Sequence, residues 1–472
     1  MNLKFTNILK HLTYTIFSNL TSLIMSTLVI LIVPKLIGVK EYSYWQLYSF
    51  YASYVGFLHF GFNDGIYLRY GGEEYKNLDK KLFNSLFLEL LISQIIISGV
   101  IWFGSSIFIV DLNRVFIVKM VAIVTVLSNT SNMLLFILQA TNRIREYAYL
   151  TILDIVLYVF LIAFFLISGS RDYKLMIYAN LIGKFVTLFL ATIFCKDIVY
   201  QKVSSFYFTI KELVININVG IKLMFANIAS MLIIGIVRLG IERVWNVETF
   251  GKVSLTLSIS NMMMIFINAV GIIMFPVLRR TSHAKLADVY SVLRDFLMIL
   301  LLGLLFIYFP IKSLIEVWLP QYASSLLYMA LVFPMFIYEG KMALLINTYL
   351  KTLRREKVLL KINLVYMFMS IISTYIATNI FHNLDLTVLS IVLLLALRSI
   401  ALENYLAKEL NIILSKDIFL ELLLTGVFMI TAWYINSWYI TIIYGSAYII
   451  YLVIKRKKIM ESFIIIKSYI KI

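Results

Sequence analysis

The sequence predicts an all-α integral membrane protein, and its composition carries that prediction. Of 472 residues, 61% are hydrophobic and 14% are charged, and the mean hydropathy is +0.91. Soluble domains are about 45–50% apolar and about 25% charged. Five prolines and 19 glycines leave little material for long irregular loops. Because a spanning chain must satisfy its backbone polar groups internally, the spans are predicted to be helices rather than barrel strands.

Apolar segments of span length recur along the whole chain. A helix crosses a hydrocarbon core about 30 Å thick with roughly 20 apolar residues. The basic N-terminus runs into such a segment without a small-residue cleavage pattern, which predicts an uncleaved first span. Cutting at charged and turn-rich breaks predicts about 14 transmembrane helices: 12–37, 42–64, 82–109, 115–141, 147–170, 173–196, 213–240, 248–278, 289–315, 322–350, 358–381, 385–408, 417–435 and 438–454.

The placement of lysine and arginine predicts the orientation of these spans. Cytoplasmic loops hold an excess of basic residues. With the N-terminus inside, the inner loops and adjacent span ends carry 28 Lys and Arg, and the outer segments carry nine. We therefore expect both termini to be cytoplasmic. The net charge of +17 is then explained without a nucleic-acid partner, because basic loops set the orientation of the spans and contact anionic lipid.

A weak internal repeat indicates two lobes. Displacing the chain by 208 residues lays span 1 over span 7 and pairs Asn19 with Asn227. Six spans separate the copies, so the repeat is parallel. We expect a six-helix lobe over 1–212, a pseudo-symmetric six-helix lobe over 213–408, and a central cavity. An additional helix pair and a basic cytoplasmic tail follow over 409–472.

Five basic residues fall inside predicted spans. Insertion scales place the cost of a central Lys or Arg at about 2.5–3.5 kcal/mol, so these side chains should face a polar interior. Ion pairing inside the bundle is the alternative for Lys184, Lys341 and Arg398, which lie near the middles of their spans. Snorkelling is the alternative for Lys222, in the inner third of its span, and snorkelling or pairing with Glu242 is the alternative for Arg238. The predicted cavity-lining, substrate-binding cations are Lys184, Lys222, Arg238, Lys341 and Arg398.

Two carboxyl groups within spans are candidates for cation coupling. Glu89 and Asp154 lie in the third and fifth spans, and the protonation of a buried carboxyl depends on neighbouring charge. A structural pair with Lys184, or a carboxyl that caps backbone, is the open alternative. The coupling ion could be H⁺ or Na⁺.

The sequence lacks the motifs of familiar catalytic sites. It contains no Walker loop, HExxH or GxSxG. Four scattered histidines and a single cysteine, Cys195, give almost no material for a metal site. We therefore expect a transporter rather than an enzyme, with no cofactor and no metal.

The hairpin PKLIGVKEYSYWQLYSFYASYVGFLHFGFNDGIYLRYGG, residues 34–72, resembles one family. It is similar to the first hairpin of the polysaccharide flippases of the MOP superfamily, the Wzx-like or PST group. Ser43 departs from the pattern, because the family usually has glycine there, whereas the repeat copy keeps Phe250 and Gly251. We expect Tyr42, Tyr44 and Trp45 to form an aromatic belt at the outer interface. The matching residues are Pro34, Gly38, Glu41, Tyr42, Tyr44, Phe60, Gly61 and Arg69.

The resemblance implies a function and a location. Such a flippase moves an undecaprenyl-diphosphate-linked oligosaccharide from the cytoplasmic to the outer leaflet of the bacterial cytoplasmic membrane by alternating access. It serves the synthesis of O-antigen, capsule or exopolysaccharide. The implied partners are the lipid-linked substrate, membrane lipids, a polysaccharide polymerase and a chain-length regulator. Two alternatives stay open: a cation-coupled multidrug or metabolite exporter of the same superfamily, and a membrane polymerase or acyltransferase of polysaccharide assembly.

Overall fold

The computed structural model describes residues 20–470 apart from 23, 203–205, 265–266, 268–285 and 436–438. Within these ranges all regular structure is helical and no strand occurs, which confirms the predicted fold class. Ten of the described helices are long and apolar enough to cross a membrane, or 11 if one bent pair counts as a span. The protein is therefore a multi-pass membrane protein, and the exact number of 14 spans stays a prediction.

The chain divides into two compact units, one ending at Ile228 and the other beginning at Ala229. The division falls inside one long helix. The boundaries predicted at residues 212 and 408 follow the repeat rather than this packing, and they stay a prediction.

The first unit is built around one central helix. Its fifth helix, α5, has 67% of its most apolar window buried and packs against five other helices of the unit. Aspartates at positions 79, 111 and 172 cap the helices that follow them by accepting backbone N–H groups. The helices are α1 (Leu20–Ile37), α2 (Val39–Ala52), α3 (Phe62–Arg69), α4 (Lys80–Phe108), α5 (Leu112–Ala140), α6 (Ile144–Ile167), α7 (Tyr173–Phe194), α8 (Lys196–Val199) and the first half of α9 (Ile210–Val244).

The second predicted span, 42–64, is not one helix, so that expectation was wrong. A 3₁₀ turn at Val55–His59 separates α2 from α3. Phe60 and Gly61 then adopt left-handed backbone, with φ of 53° and 81°. The break lies in a segment that is rich in apolar and aromatic residues, which is why hydropathy alone missed it.

Side chains from neighbouring helices satisfy the backbone at this break. The Asn129 amide donates to the Val55 carbonyl at 2.9 Å, and the Gln94 amide donates to the Leu58 carbonyl at 3.1 Å. The Asn129 amide also donates to the Gln94 side-chain carbonyl at 2.7 Å. Irregular backbone inside a membrane protein persists only where such partners exist.

The aromatic residues of α2 are buried rather than exposed as a belt. Tyr42 is fully buried, and the Tyr44 ring lies 5.1 Å from the ring of Tyr173. These side chains fix α2 against α7 instead of facing lipid. Ser43 is also fully buried, and its hydroxyl donates to the Val39 carbonyl at 2.7 Å. A serine therefore fits where the similar family has glycine, because its own helix satisfies its one polar atom.

The second unit contains the remaining helices. They are the second half of α9, α10 (Val247–Met262), α11 (Leu286–Leu304), α12 (Tyr308–Trp318), α13 (Leu326–Val332), α14 (Met335–Lys341), α15 (Asn347–Thr352), α16 (Glu356–Tyr375), α17 (Leu384–Glu409), α18 (Ser415–Tyr434) and α19 (Tyr439–Ile470). The predicted eighth span, 248–278, lies partly outside the described residues.

The predicted span 322–350 is bent. Its two parts, Pro320–Val332 and Met335–Thr352, meet at 42°. Pro334 lies at the bend, where it lacks the N–H that a continuous helix needs. A π-helical turn at Met342–Ile346 follows directly after Lys341, and such turns are frequent at functional sites.

The C-terminal helix pair packs into the second unit. Tyr444 and Tyr448 on α19 donate hydrogen bonds to the carbonyls of Leu302 and Ile299 on α11, at 2.7 and 2.8 Å. The helix α19 extends to Ile470, past the predicted end of the last span at residue 454. The start of the predicted basic tail is therefore helical.

Candidate functional site

Four buried charged residues form the buried charge cluster of the second unit, namely Arg294, Lys341, Glu403 and Glu421. Arg294 contacts Glu403 at 2.6 Å and Glu421 at 2.5 Å. Lys341 contacts the same two carboxylates at 2.7 and 3.0 Å. No side chain in the cluster is more than 3% exposed. Two cations and two carboxylates make the cluster neutral, as buried charge requires.

A second group of charges ties α19 to this region. Lys455 lies 2.5 Å from Asp295 and 2.9 Å from Asp417, and Lys458 lies 3.0 Å from Asp417. Asp295 follows Arg294 on α11, and Asp417 lies one turn before Glu421 on α18. The helix pair is thus held by ion pairs as well as by apolar packing.

Sequence reasoning singled out Lys341 but missed Arg294 as its neighbour. Arg294 lies near the predicted inner end of a span and counted there as a loop charge. The structure encloses Lys341 among carboxylates, so its geometry fits the alternative of ion pairing inside the bundle. The separation along the chain from Lys341 to Glu403 hides such a pair from sequence reasoning.

Arg398 joins three helices of the second unit. Its guanidinium contacts Glu339 of α14 at 2.6 Å and donates to the Ser230 hydroxyl of α9 at 2.6 Å. Arg398 is fully buried, but Glu339 is 26% exposed. Glu339 and Lys341 lie two residues apart on α14 and have different partners. The exposed edge of the pair is therefore the Glu339 carboxylate, whereas the Arg398 guanidinium is enclosed.

Lys184 and Asp154 form an ion pair in the first unit. The ammonium lies 2.6 Å from the carboxylate, and the two side chains are 30% and 24% exposed. Gly183 lets α7 approach α6 here, because a Cβ at this position would lie 3.2 Å from the Asp154 carbonyl oxygen. Partly exposed ion pairs contribute only about 0–1 kcal/mol. Lys184 can therefore exchange Asp154 for another anion at little cost.

Arg238 connects α9 to α10. It donates to the Ser254 hydroxyl at 3.0 Å, and its guanidinium carbon lies 5.3 Å from the centre of the Phe250 ring. Phe250 belongs to the repeat copy of the first hairpin. The contact is a cation–π interaction of the kind that favours arginine.

Lys222 is the most available of the predicted cations. It is exposed on α9, and Asn218 one turn before it is also exposed. Among the residues that the structure describes, no carboxylate forms an ion pair with Lys222. An anionic ligand could bind here without displacing a partner.

Glu89 lies beside Thr209, the residue that precedes α9. Its carboxylate accepts the backbone N–H of Thr209 and, at 2.7 Å, the Thr209 hydroxyl. Asn84, on the same helix, donates to the carbonyls of Ile198 and Val199 at 2.9 and 3.1 Å. This geometry fits the alternative in which Glu89 caps backbone.

Replacing Glu89 separates capping from coupling. We expect Glu89→Ala to lower stability by about 1–2 kcal/mol, because the start of α9 loses its acceptor. Glu89→Gln keeps a carbonyl acceptor and should retain most of the stability and transport. The measurements are thermal unfolding in detergent and transport in cells. A stable Glu89→Gln protein with no transport would favour coupling instead.

No group of three or more His, Cys, Asp or Glu side chains placed to hold a metal occurs in the described part of the chain. Cys195 is buried. Several charged side chains inside the spans are instead paired with one another, among them Lys184, Lys341 and Arg398.

The fold is that of the MOP superfamily transporters. A multidrug resistance transporter of the MATE family, solved in an inward-facing conformation, aligns with 82% of this chain and 94% of its own, with a TM-score of 0.65 and 12% identity. The lipid II flippase MurJ, in an inward closed conformation, aligns with 96% of this chain and 100% of its own, with a TM-score of 0.62 and 16% identity. At these identities the likeness shows the fold alone. No family model and no curated protein sequence matches the chain.

Proposed function

We propose that this protein is a flippase of the Wzx-like type, which moves an undecaprenyl-diphosphate-linked oligosaccharide from the cytoplasmic to the outer leaflet of a bacterial cytoplasmic membrane. The observation that carries the proposal is Lys222, an exposed cation in the inner third of a predicted span, with no carboxylate partner among the residues that the structure describes. The hairpin resemblance and the shared fold with a lipid II flippase support it.

The substrate chemistry explains the need for such a residue. A diphosphate cannot enter hydrocarbon without losing its hydration, whereas charge-assisted hydrogen bonds to an ammonium offset that cost. Lys222 would bind first, and Lys184 of the same unit would join by exchanging Asp154 for phosphate. Polar neighbours such as Asn218 would receive sugars. The lipid tail would stay in the bilayer throughout.

The charge pattern favours an anionic cargo over a cationic one. Exporters of cationic drugs need accessible carboxylates. Here the span carboxylates Asp154, Glu339 and Glu403 are each in contact with a cation. An enzyme of polysaccharide assembly would need a cluster of reactive groups, and the described residues show ion pairs instead.

Lys222 gives the sharpest test of substrate binding. We expect Lys222→Ala to reduce transport about tenfold, the effect of losing one strong charge-assisted contact, and Lys222→Arg to retain more of it. Lys211→Ala, a loss of an exposed cation near the start of the same helix, is the matched control and should transport normally. The measurements are surface polysaccharide and accumulated lipid-linked repeat unit at equal protein level.

Two outcomes would reject this role. Normal export by Lys222→Ala would show that the cation is not needed. Equal losses in Lys222→Ala and Lys211→Ala would show that overall charge, rather than a site on α9, controls transport.

A further inference from the structure

The second unit has a groove that no step of the proposed transport uses. It lies between the first turns of α17 and the last turns of α18, with Leu331 of α13 at its floor, and its volume is about 480 Å³. Pockets of about 300–1,000 Å³ hold small-molecule ligands. The proposed function does not depend on this groove.

The groove has one apolar end and one polar end. Leu389 and Leu393 on α17 face Met429 and Ile430 on α18. The two helices are antiparallel, so the start of α17 and the end of α18 lie at the same end of the groove. A lining segment of eight residues on either helix spans about 12 Å. The groove is therefore shaped for an acyl chain that ends in a polar headgroup.

The polar end carries a single type of charge. Asp385 is the one charged side chain among the described lining residues, and Asn383, Trp433 and Tyr434 line the same end of the groove. The Tyr328 side chain lies near the Asp385 carboxylate, and the Tyr328 ring lies 6.1 Å from the Trp433 ring. A carboxylate among aromatic rings attracts an ammonium group through charge and cation–π contacts.

We propose that this groove binds a phospholipid with a primary ammonium headgroup, as in phosphatidylethanolamine. Its acyl chain lies along the leucines of α17, and its ammonium donates hydrogen bonds to Asp385. A lipid with only anionic headgroup charge would meet this carboxylate with no lysine or arginine among the lining residues. Charge complementarity therefore selects the aminophospholipid.

Gly426 supplies a variant that fills the groove without disturbing the fold. It lies on the groove wall, and a Cβ there would meet nothing within 4 Å. Gly426→Leu should place its side chain in the space of the acyl chain. Gly104→Leu is the matched control, since Gly104 lies in α4 of the first unit and is equally open.

Lipid retention by the purified full chain tests the proposal. The protein is incubated with micelles that contain equal amounts of phosphatidylethanolamine and phosphatidylglycerol, and native mass spectrometry counts the retained lipids. We expect wild type and Gly104→Leu to prefer phosphatidylethanolamine about fivefold, the effect of one partly exposed charge-assisted contact. Asp385→Asn should lose the preference, and Gly426→Leu should retain less of both lipids.

Equal retention of the two lipids by wild type, or preference for phosphatidylglycerol, would overturn the proposal. An unchanged preference in Asp385→Asn would overturn it too. If Gly426→Leu unfolds, Asp385→Asn decides the matter alone, because Asp385 is exposed and its replacement leaves the core intact.

Discussion

Gly220→Ala is expected to abolish transport while the protein remains folded. A Cβ at this position on α9 would lie 1.9 Å from the Gly61 carbonyl oxygen and 2.4 Å from the Gly65 backbone nitrogen. Backbone cannot yield to such an overlap as a flexible side chain can, so α9 must move away from α3. Overpacking of a well-packed site costs about 1–3 kcal/mol.

The contact has the character of a closed gate in the proposed transport cycle. Arg69, at the end of α3, contacts Glu212 at 2.9 Å and donates to the Asn216 side chain at 2.7 Å. Arg69, Gly65 and Gly220 together hold the end of the hairpin of residues 34–72 against the first half of α9. Alternating access requires that such contacts form and break, so a variant unable to form this one should lose a state of the cycle.

Gly65→Ala should behave in the same way, because its Cβ would lie 1.9 Å from the Asn216 carbonyl oxygen. Gly99→Ala is the control: Gly99 is also helical, and a Cβ there meets nothing within 4 Å. Transport and thermal unfolding are measured for all three variants at equal protein level. Normal transport by both Gly65→Ala and Gly220→Ala would contradict the gate.

Glu403→Gln is expected to have the largest effect on stability. The change leaves Arg294 and Lys341 with one carboxylate between them, and an uncompensated buried charge costs about 3–5 kcal/mol. Little folded protein should reach the membrane. Fluorescence-detected size exclusion of the detergent extract, followed by thermal unfolding, measures the loss.

A second change should restore the balance of charge in the buried charge cluster. Lys341→Met combined with Glu403→Gln leaves the Arg294–Glu421 pair, and it should recover much of the folded protein that either single change loses. Folding without transport in this double variant would assign Lys341 a part in binding or coupling. Additive losses of stability would contradict the account of the cluster.

The fold class and the order of the helices could be predicted from the sequence. The thickness of the bilayer sets the length of each apolar segment, and basic residues mark the loops between segments. The breaks and bends within the predicted spans could not all be predicted from hydropathy. Pro334 was a visible signal for the bend in its span, whereas the break at Phe60 and Gly61 depends on amides that Asn129 and Gln94 supply from other helices.

Most charged residues within the spans could be found from the sequence, with Arg294 as an exception. Of their partners, the sequence indicated only the pair of Lys184 with Asp154, as an alternative. Arg398 and Glu339 meet through folding, and nothing in their spacing distinguishes an enclosed pair from an open one. Exposure, which separates Lys222 from Lys341, is a property of packing alone. The sequence therefore indicates which charged residues lie within spans. The structure distinguishes the cations that are enclosed by carboxylates from those that are exposed.

Reconstituted flipping tests the central claim most directly. The purified protein is placed in liposomes with a fluorescent undecaprenyl-diphosphate-linked saccharide, and a membrane-impermeant quencher measures the labelled lipid in the outer leaflet over time. We predict translocation by wild type, about tenfold slower translocation by Lys222→Ala, and none by Gly220→Ala. Translocation no faster than in protein-free liposomes, together with export of a cationic dye by the same preparation, would contradict the account.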